Sequence, residues 1–89
     1  TALVTMSMRR MAMAVVEAIP FQAFDVVVAG DDVTHGKPHP EPFLLGAERL
    51  GVAPERCVVF EDGVNGFISA HAAGMKVVDV TRWITQTQA

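Results

Sequence analysis

The run Val58-Val59-Phe60 stops abruptly at two adjacent carboxylates, Glu61 and Asp62, and this junction constrains the fold more than any other stretch. An unbroken apolar run of this length reads as a strand buried on both faces, the pattern of a parallel sheet covered by helices. Glu61 and Asp62 then emerge at its carboxyl end, the edge of an open α/β sheet where ligands bind. Function depends on what other segments bring to that edge.

Ala2 to Val4 reads as a first strand with Thr5-Met6-Ser7 as its carboxyl-end loop. Met8 to Ala18 reads as a helix, with Ala12, Val15, Val16 and Ile19 spaced for one apolar face. Arg9 and Arg10 in its first turn oppose the helix dipole unless an anion lies near them. Pro20 ends the helix, and Asp25 to Ala29, the most β-branched run, is a second strand. Gly30 to Pro40 is polar and punctuated by glycine and proline, so it is a loop, with Asp31-Asp32 as a solvated turn.

Glu41 to Leu50 is a helix bounded by proline at its start and Gly51 at its end. After the strand Cys57 to Phe60, Gly63 to Gly66 is expected to form a tight loop, Phe67 to Ala73 a helix closed by Gly74, and Lys76 to Val80 a last strand. Strands alternating with helices specify an α/β fold with a parallel sheet and helices on its faces. Residues 1–81 read as one unit and 82–89 as a polar tail, with Trp83 docking back on the body.

Eighty-nine residues are few for this architecture, but 51% apolar and 19% charged residues suit a packed core rather than disorder. With a net charge of −3 and no basic run, nothing marks a nucleic-acid surface, and the expected ligand is small. The single cysteine, Cys57, cannot form an intramolecular disulfide and is expected to be structural. No apolar stretch approaches the ~20 residues of a membrane span, so the expected protein is soluble and cytoplasmic, with no membrane partner. The spacing of His35, His39 and His71 resembles no metal site.

Three segments place polar groups at the same sheet edge: Thr5 and Ser7, Lys37, and Glu61 with Asp62. Carboxylates are the hard ligands that Mg²⁺ takes, while a lysine and a hydroxyl can hold phosphate oxygens. Binding a phosphoryl group and neutralising its charge is most of what phosphoryl transfer asks of a protein. Alone, each piece has a plainer reading: a helix cap, a satisfied strand end, an exposed loop cation. Their order and setting carry the signal.

Thr5 after Leu3-Val4, the segment Gly36-Lys37-Pro38-His39-Pro40-Glu41-Pro42-Phe43, and Val58 to Gly66 with Ala72-Ala73-Gly74-Met75 behind it together resemble motifs II, III and IV of the haloacid dehalogenase (HAD) superfamily. The pattern is that of the subfamily containing β-phosphoglucomutase, phosphoglycolate phosphatase-like and sugar-phosphate phosphatases, and it runs from Ala2 to about Thr81. The resemblance implies a three-layer Rossmann-like core and a Mg²⁺-dependent phosphatase or phosphomutase acting on a small phosphorylated metabolite through a phosphoaspartyl intermediate. It implies that Thr5 hydrogen-bonds the transferring phosphoryl group and that Lys37 neutralises it and orients the nucleophile. Asp62 would ligate Mg²⁺ directly and Glu61 directly or through water. Ser7 and Arg9 match positions near the phosphate or substrate in some relatives, and Gly66 would permit a tight turn. Gly63 departs from the serine common at its position.

No Asp-x-Asp occurs in the 89 residues, although the family's nucleophile and its general acid/base form that pair in motif I. The family's cap domain has no counterpart here either. The expectation is an incomplete core, inactive alone, with poor Mg²⁺ affinity. In the family's sheet order the motif I strand lies between the strand ending at Thr5 and the strand ending at Glu61. Without it the sheet should part into two strand pairs whose inner edges can pair with an N-terminal segment or another chain. A non-catalytic fragment or pseudoenzyme with a binding or assembly role is the alternative.

Overall fold

The computed structural model describes residues 1–6, 8–19 and 22–80; Ser7, Pro20, Phe21 and residues 81–89, with Trp83 and the expected tail, lie outside the described residues. The strands are β1 (Ala2–Val4), β2 (Val26–Val28), β3 (Val58–Glu61) and β4 (Lys76–Asp79). The helices are α1 (Arg9–Ala18), α2 (Glu41–Leu50) and α3 (Val64–Ala72), with 3₁₀ turns at Gly30–Asp32 and Pro54–Arg56. Each strand follows a run of branched apolar residues, which a pleated surface accommodates. Gly51 (φ 72°) and Gly74 (φ 80°) close α2 and the α3 segment in the left-handed conformation that favours glycine.

The sheet is parallel but divided. β1 pairs with β2, Ala2 opposite Val26 and Val4 opposite Val28, and β3 pairs with β4, Val58 opposite Lys76 and Glu61 opposite Asp79. Between the pairs lies a cavity of about 560 Å³ lined by both inner strands and by Phe43, Ala47 and Met75. Two pairs are the outcome expected of a sheet order that places a further strand between β1 and β3.

Helix α2 packs across β1 and β2, α3 packs across β3 and β4, and the two helices touch, so they join the halves along one side. Their shared core is Phe43, Ala47, Ala70, Ala73 and Met75, with Val4, Val59 and Val77 packed against it. Small residues on α2 and α3 allow that approach, and Phe43 is the one aromatic side chain of the cluster.

Two expectations change. β3 is not buried on both faces: Val58 and Phe60 are 52% and 69% exposed, whereas Val59 turns to the core. The reason is that helices cover only one side of this pair among the described residues. In addition, α3 begins at Val64 rather than Phe67, so the segment read as a tight loop is already the first helical turn.

Open inner strand edges and an uncovered Phe60 favour pairing with a second chain. The isolated 89-residue chain is therefore expected to self-associate in sedimentation velocity. A monomer with a cooperative thermal unfolding transition would contradict this.

Candidate active site

The carboxyl ends of β1 and β3 lie close enough for one side chain from the loop before α2 to reach both. Lys37 Nζ donates to the Val4 carbonyl (3.3 Å) and to Glu61 Oε2 (3.1 Å), so one side chain touches both halves of the divided sheet. Its ammonium also lies 4.9 Å from the centre of the Phe43 ring, within cation–π range. Lys37 and Glu61 are both largely buried, with 15% and 13% of their side chains exposed.

Three further contacts hold the loop that delivers Lys37. Its amide donates to Met6 Sδ (3.4 Å). The buried Ser69 hydroxyl donates to the His39 carbonyl (2.7 Å), fastening the loop to α3. Glu41, at the start of α2, accepts the amides of Thr34 and His35. Thr5 lies directly after the carbonyl that Lys37 grips, and its amide donates to Val28 O (2.8 Å), extending the β1–β2 ladder.

Glu61 folds back on its own turn, where Oε1 accepts the amides of Asp62 (3.0 Å) and Gly63 (3.2 Å). Burial pushes its carboxyl up, but the Gly63 amide, Lys37 and the Asp62 amide outweigh it and hold it below the usual carboxylate range. The carboxylate lies against Gly66 in α3, where a Cβ would fall inside the Glu61 carboxyl group. Gly66 is thus a site of close packing inside a helix, not of a tight turn. Asp62 differs: its side chain is exposed, and among the described residues no hydrogen bond or ion pair engages its carboxylate. Two adjacent carboxylates, one of them unengaged, match the hard oxygen donors of Mg²⁺ in chemical type.

Arg9 is placed elsewhere. Its guanidinium pairs with Asp32 and donates to the Val27 carbonyl (2.9 Å), while its amide donates to Asp31 Oδ1 (2.8 Å). The anion that the first turn of α1 requires is supplied from within the chain, by the turn at Gly30–Asp32. Asp32 is accordingly not solvated: it also accepts the Ala29 amide and faces Arg49. Arg9, then the Ala29 amide, hold its carboxyl well below the usual carboxylate range. Ser7 lies outside the described residues.

The sequence reading did not single out Phe43, Met6, Ser69 or the Val4 carbonyl around Lys37. Only Ser69 carried a local signal, as the one hydroxyl in an otherwise apolar stretch of α3.

The profile of the haloacid dehalogenase-like hydrolases matches residues 1–74. The chain is 60% identical over 57 residues to the fructose-1-phosphate phosphatase YqaB of Escherichia coli (strain K12), covering 64% of this chain and 30% of that protein. It is 48% identical over 58 residues to the E. coli (strain K12) phosphoglycolate phosphatase, covering 65% of this chain and 23% of that protein. The structure of CbbY from Rhodobacter sphaeroides in complex with phosphate superposes with a TM-score of 0.78 at 36% identity, over 85% of this chain and 36% of CbbY. The chain belongs to the haloacid dehalogenase-like hydrolases. It spans about 30% or less of the length of these curated relatives.

Alanine at a helical glycine ordinarily stabilises by roughly 0.4–1 kcal/mol. Gly66→Ala is expected to do the reverse, lowering the urea midpoint of the full-length polypeptide by the equivalent of about 1–3 kcal/mol because it displaces Glu61. Gly63→Ala, whose Cβ would meet Glu61 only at 3.7 Å, serves as the control. Equal midpoints for the two variants would contradict the packing role.

Proposed function

We propose that this chain forms part of a Mg²⁺-dependent phosphatase or phosphomutase acting on a small phosphorylated metabolite, a sugar phosphate or similar. The observation that carries this reading is Lys37, a largely buried cation held between the ends of β1 and β3 beside Glu61 and the exposed Asp62. The names of the relatives, phosphatases of fructose 1-phosphate and of phosphoglycolate, support the same class.

In this reading Lys37 releases part of its hold on Glu61 to bind an equatorial phosphoryl oxygen, and Thr5 donates a further hydrogen bond to the same group. Asp62 would hold Mg²⁺ directly and Glu61 directly or through water, and the bound ion would supply charge neutralisation at the phosphoryl group. The attacking carboxylate belongs to an aspartate outside these 89 residues, on a strand that seats in the cavity between β1 and β3. Its oxygen bonds to phosphorus as the ester oxygen leaves, and water or an acceptor hydroxyl then takes the phosphoryl group from the aspartyl phosphate. Arg9 would have to exchange Asp32 for the ligand to reach it, and Ser7 is the other secondary phosphate contact. A cytoplasmic setting belongs to the same reading; among the described residues no helix is long and apolar enough to cross a membrane.

Turnover of p-nitrophenyl phosphate by the full-length polypeptide with Mg²⁺ tests these roles. Lys37→Ala and Asp62→Asn are each expected to lower kcat by about 10²-fold or more, the scale of losing a preorganised charge-stabilising group. Parental activity in both variants would remove the assigned roles.

A further inference from the structure

The loop that presents Lys37 inward presents a second set of ligating groups outward. His35 Nδ1 lies 3.3 Å from Glu41 Oε1, and His39 Nδ1 accepts the Glu41 amide at 3.1 Å. The two imidazole rings stack with centroids 4.8 Å apart and planes inclined by 25°. One donor atom from each of His35, His39 and Glu41 lies within 4.8 Å of the other two. Residues four and two positions apart meet because the chain turns back through Pro38 and Pro40 before entering α2, a proximity that linear spacing of the histidines does not reveal.

We propose that His35, His39 and Glu41 bind a divalent transition-metal ion of the Zn²⁺, Ni²⁺ or Cu²⁺ class, at a site separate from Glu61 and Asp62. The donor set decides the class: two imidazoles and one carboxylate suit these borderline ions, whereas Mg²⁺ prefers oxygen ligands alone. Metal–ligand bonds of about 2.0–2.2 Å require the three donors to draw somewhat closer than they now lie. The two imidazoles are exposed, so the rings can shift toward an ion without disturbing the core. Glu41 is already oriented, since the Thr34 amide holds Oε2 at 2.8 Å and the His35 amide holds Oε1 at 3.1 Å. Such outer contacts fix a ligand's direction before the ion arrives.

His39 gives up the Glu41 amide to direct its lone pair at the ion. That amide belongs to the first turn of α2, where N–H groups have no intrahelical acceptor and water can take its place. Water also completes the coordination. Because His35 and His39 flank Lys37 in sequence, the chelate spans the segment that carries Lys37 and stiffens it from outside. The proposal does not depend on the phosphatase reading.

The test is titration of ZnCl₂ into the full-length polypeptide, free of any histidine tag, by calorimetry near neutral pH with excess MgCl₂ present. One Zn²⁺ per chain is expected, weakened about tenfold or more by His35→Ala and likewise by His39→Ala. Both substitutions change exposed side chains, so metal-free unfolding midpoints should match the parent, which separates lost ligation from lost fold. Absence of Zn²⁺ binding would overturn the proposal. Binding that persists at parental strength in both histidine variants would overturn it too, as would binding abolished only by Asp62→Asn.

Discussion

The ion pair between Lys37 and Glu61 ties the strand ends of the two halves of this fold together, beside the apolar core that α2 and α3 share. Among the described residues no backbone hydrogen bond joins the β1–β2 pair to the β3–β4 pair, yet Lys37 grips the last carbonyl of β1 and the last carboxylate of β3 at once. Largely buried charges are costly to desolvate, and here the cost is offset by complete partnering: a carbonyl and an aromatic face for the lysine, two amides for the glutamate. Removing one member of a buried pair costs about 3–5 kcal/mol because the other is stranded. A helix glycine, Gly66, leaves the room in which Glu61 can be held.

In the proposed reading the same arrangement places charge where a ligand can use it. Lys37 is anchored from its amide to its ammonium, by Met6, by the Ser69 tie to the loop and by Glu61. In that reading, a cation whose loop is fixed in this way needs only to loosen its contact with Glu61 when an anion arrives, and preorganisation of that kind makes electrostatic stabilisation effective. Asp62, next to Glu61 but exposed and unengaged among the described residues, remains available for a different partner. Two neighbouring carboxylates thus take different roles because one is folded onto its own backbone and the other is not.

Much of the architecture was legible in the sequence because it rests on local signals. β-branched runs mark the strands, and proline and Gly51 bound α2 at the residues observed. The convergence of Thr5, Lys37 and Glu61 at one edge follows from parallel topology once strands and helices alternate. What remained hidden depends on contacts distant in sequence. Arg9 and Asp32 meet only after α1 folds onto the turn at Gly30–Asp32, so Asp32 looked like a solvated turn residue. The early start of α3 follows a turn in which Glu61 accepts the Asp62 and Gly63 amides, and the exposure of Phe60 depends on which side of β3 is covered. The meeting of His35, His39 and Glu41 arises from the return of the loop, which no helical or strand period describes.

A crystal structure of the full-length polypeptide with orthophosphate and Mg²⁺ tests most directly whether Lys37 is the cation of a phosphoryl site. Expected is phosphate at the carboxyl ends of β1 and β3, with Lys37 Nζ and Thr5 on its oxygens and Mg²⁺ on Asp62. Phosphate bound elsewhere, with Lys37 still held by Val4 and Glu61 and no metal at Asp62, would contradict it.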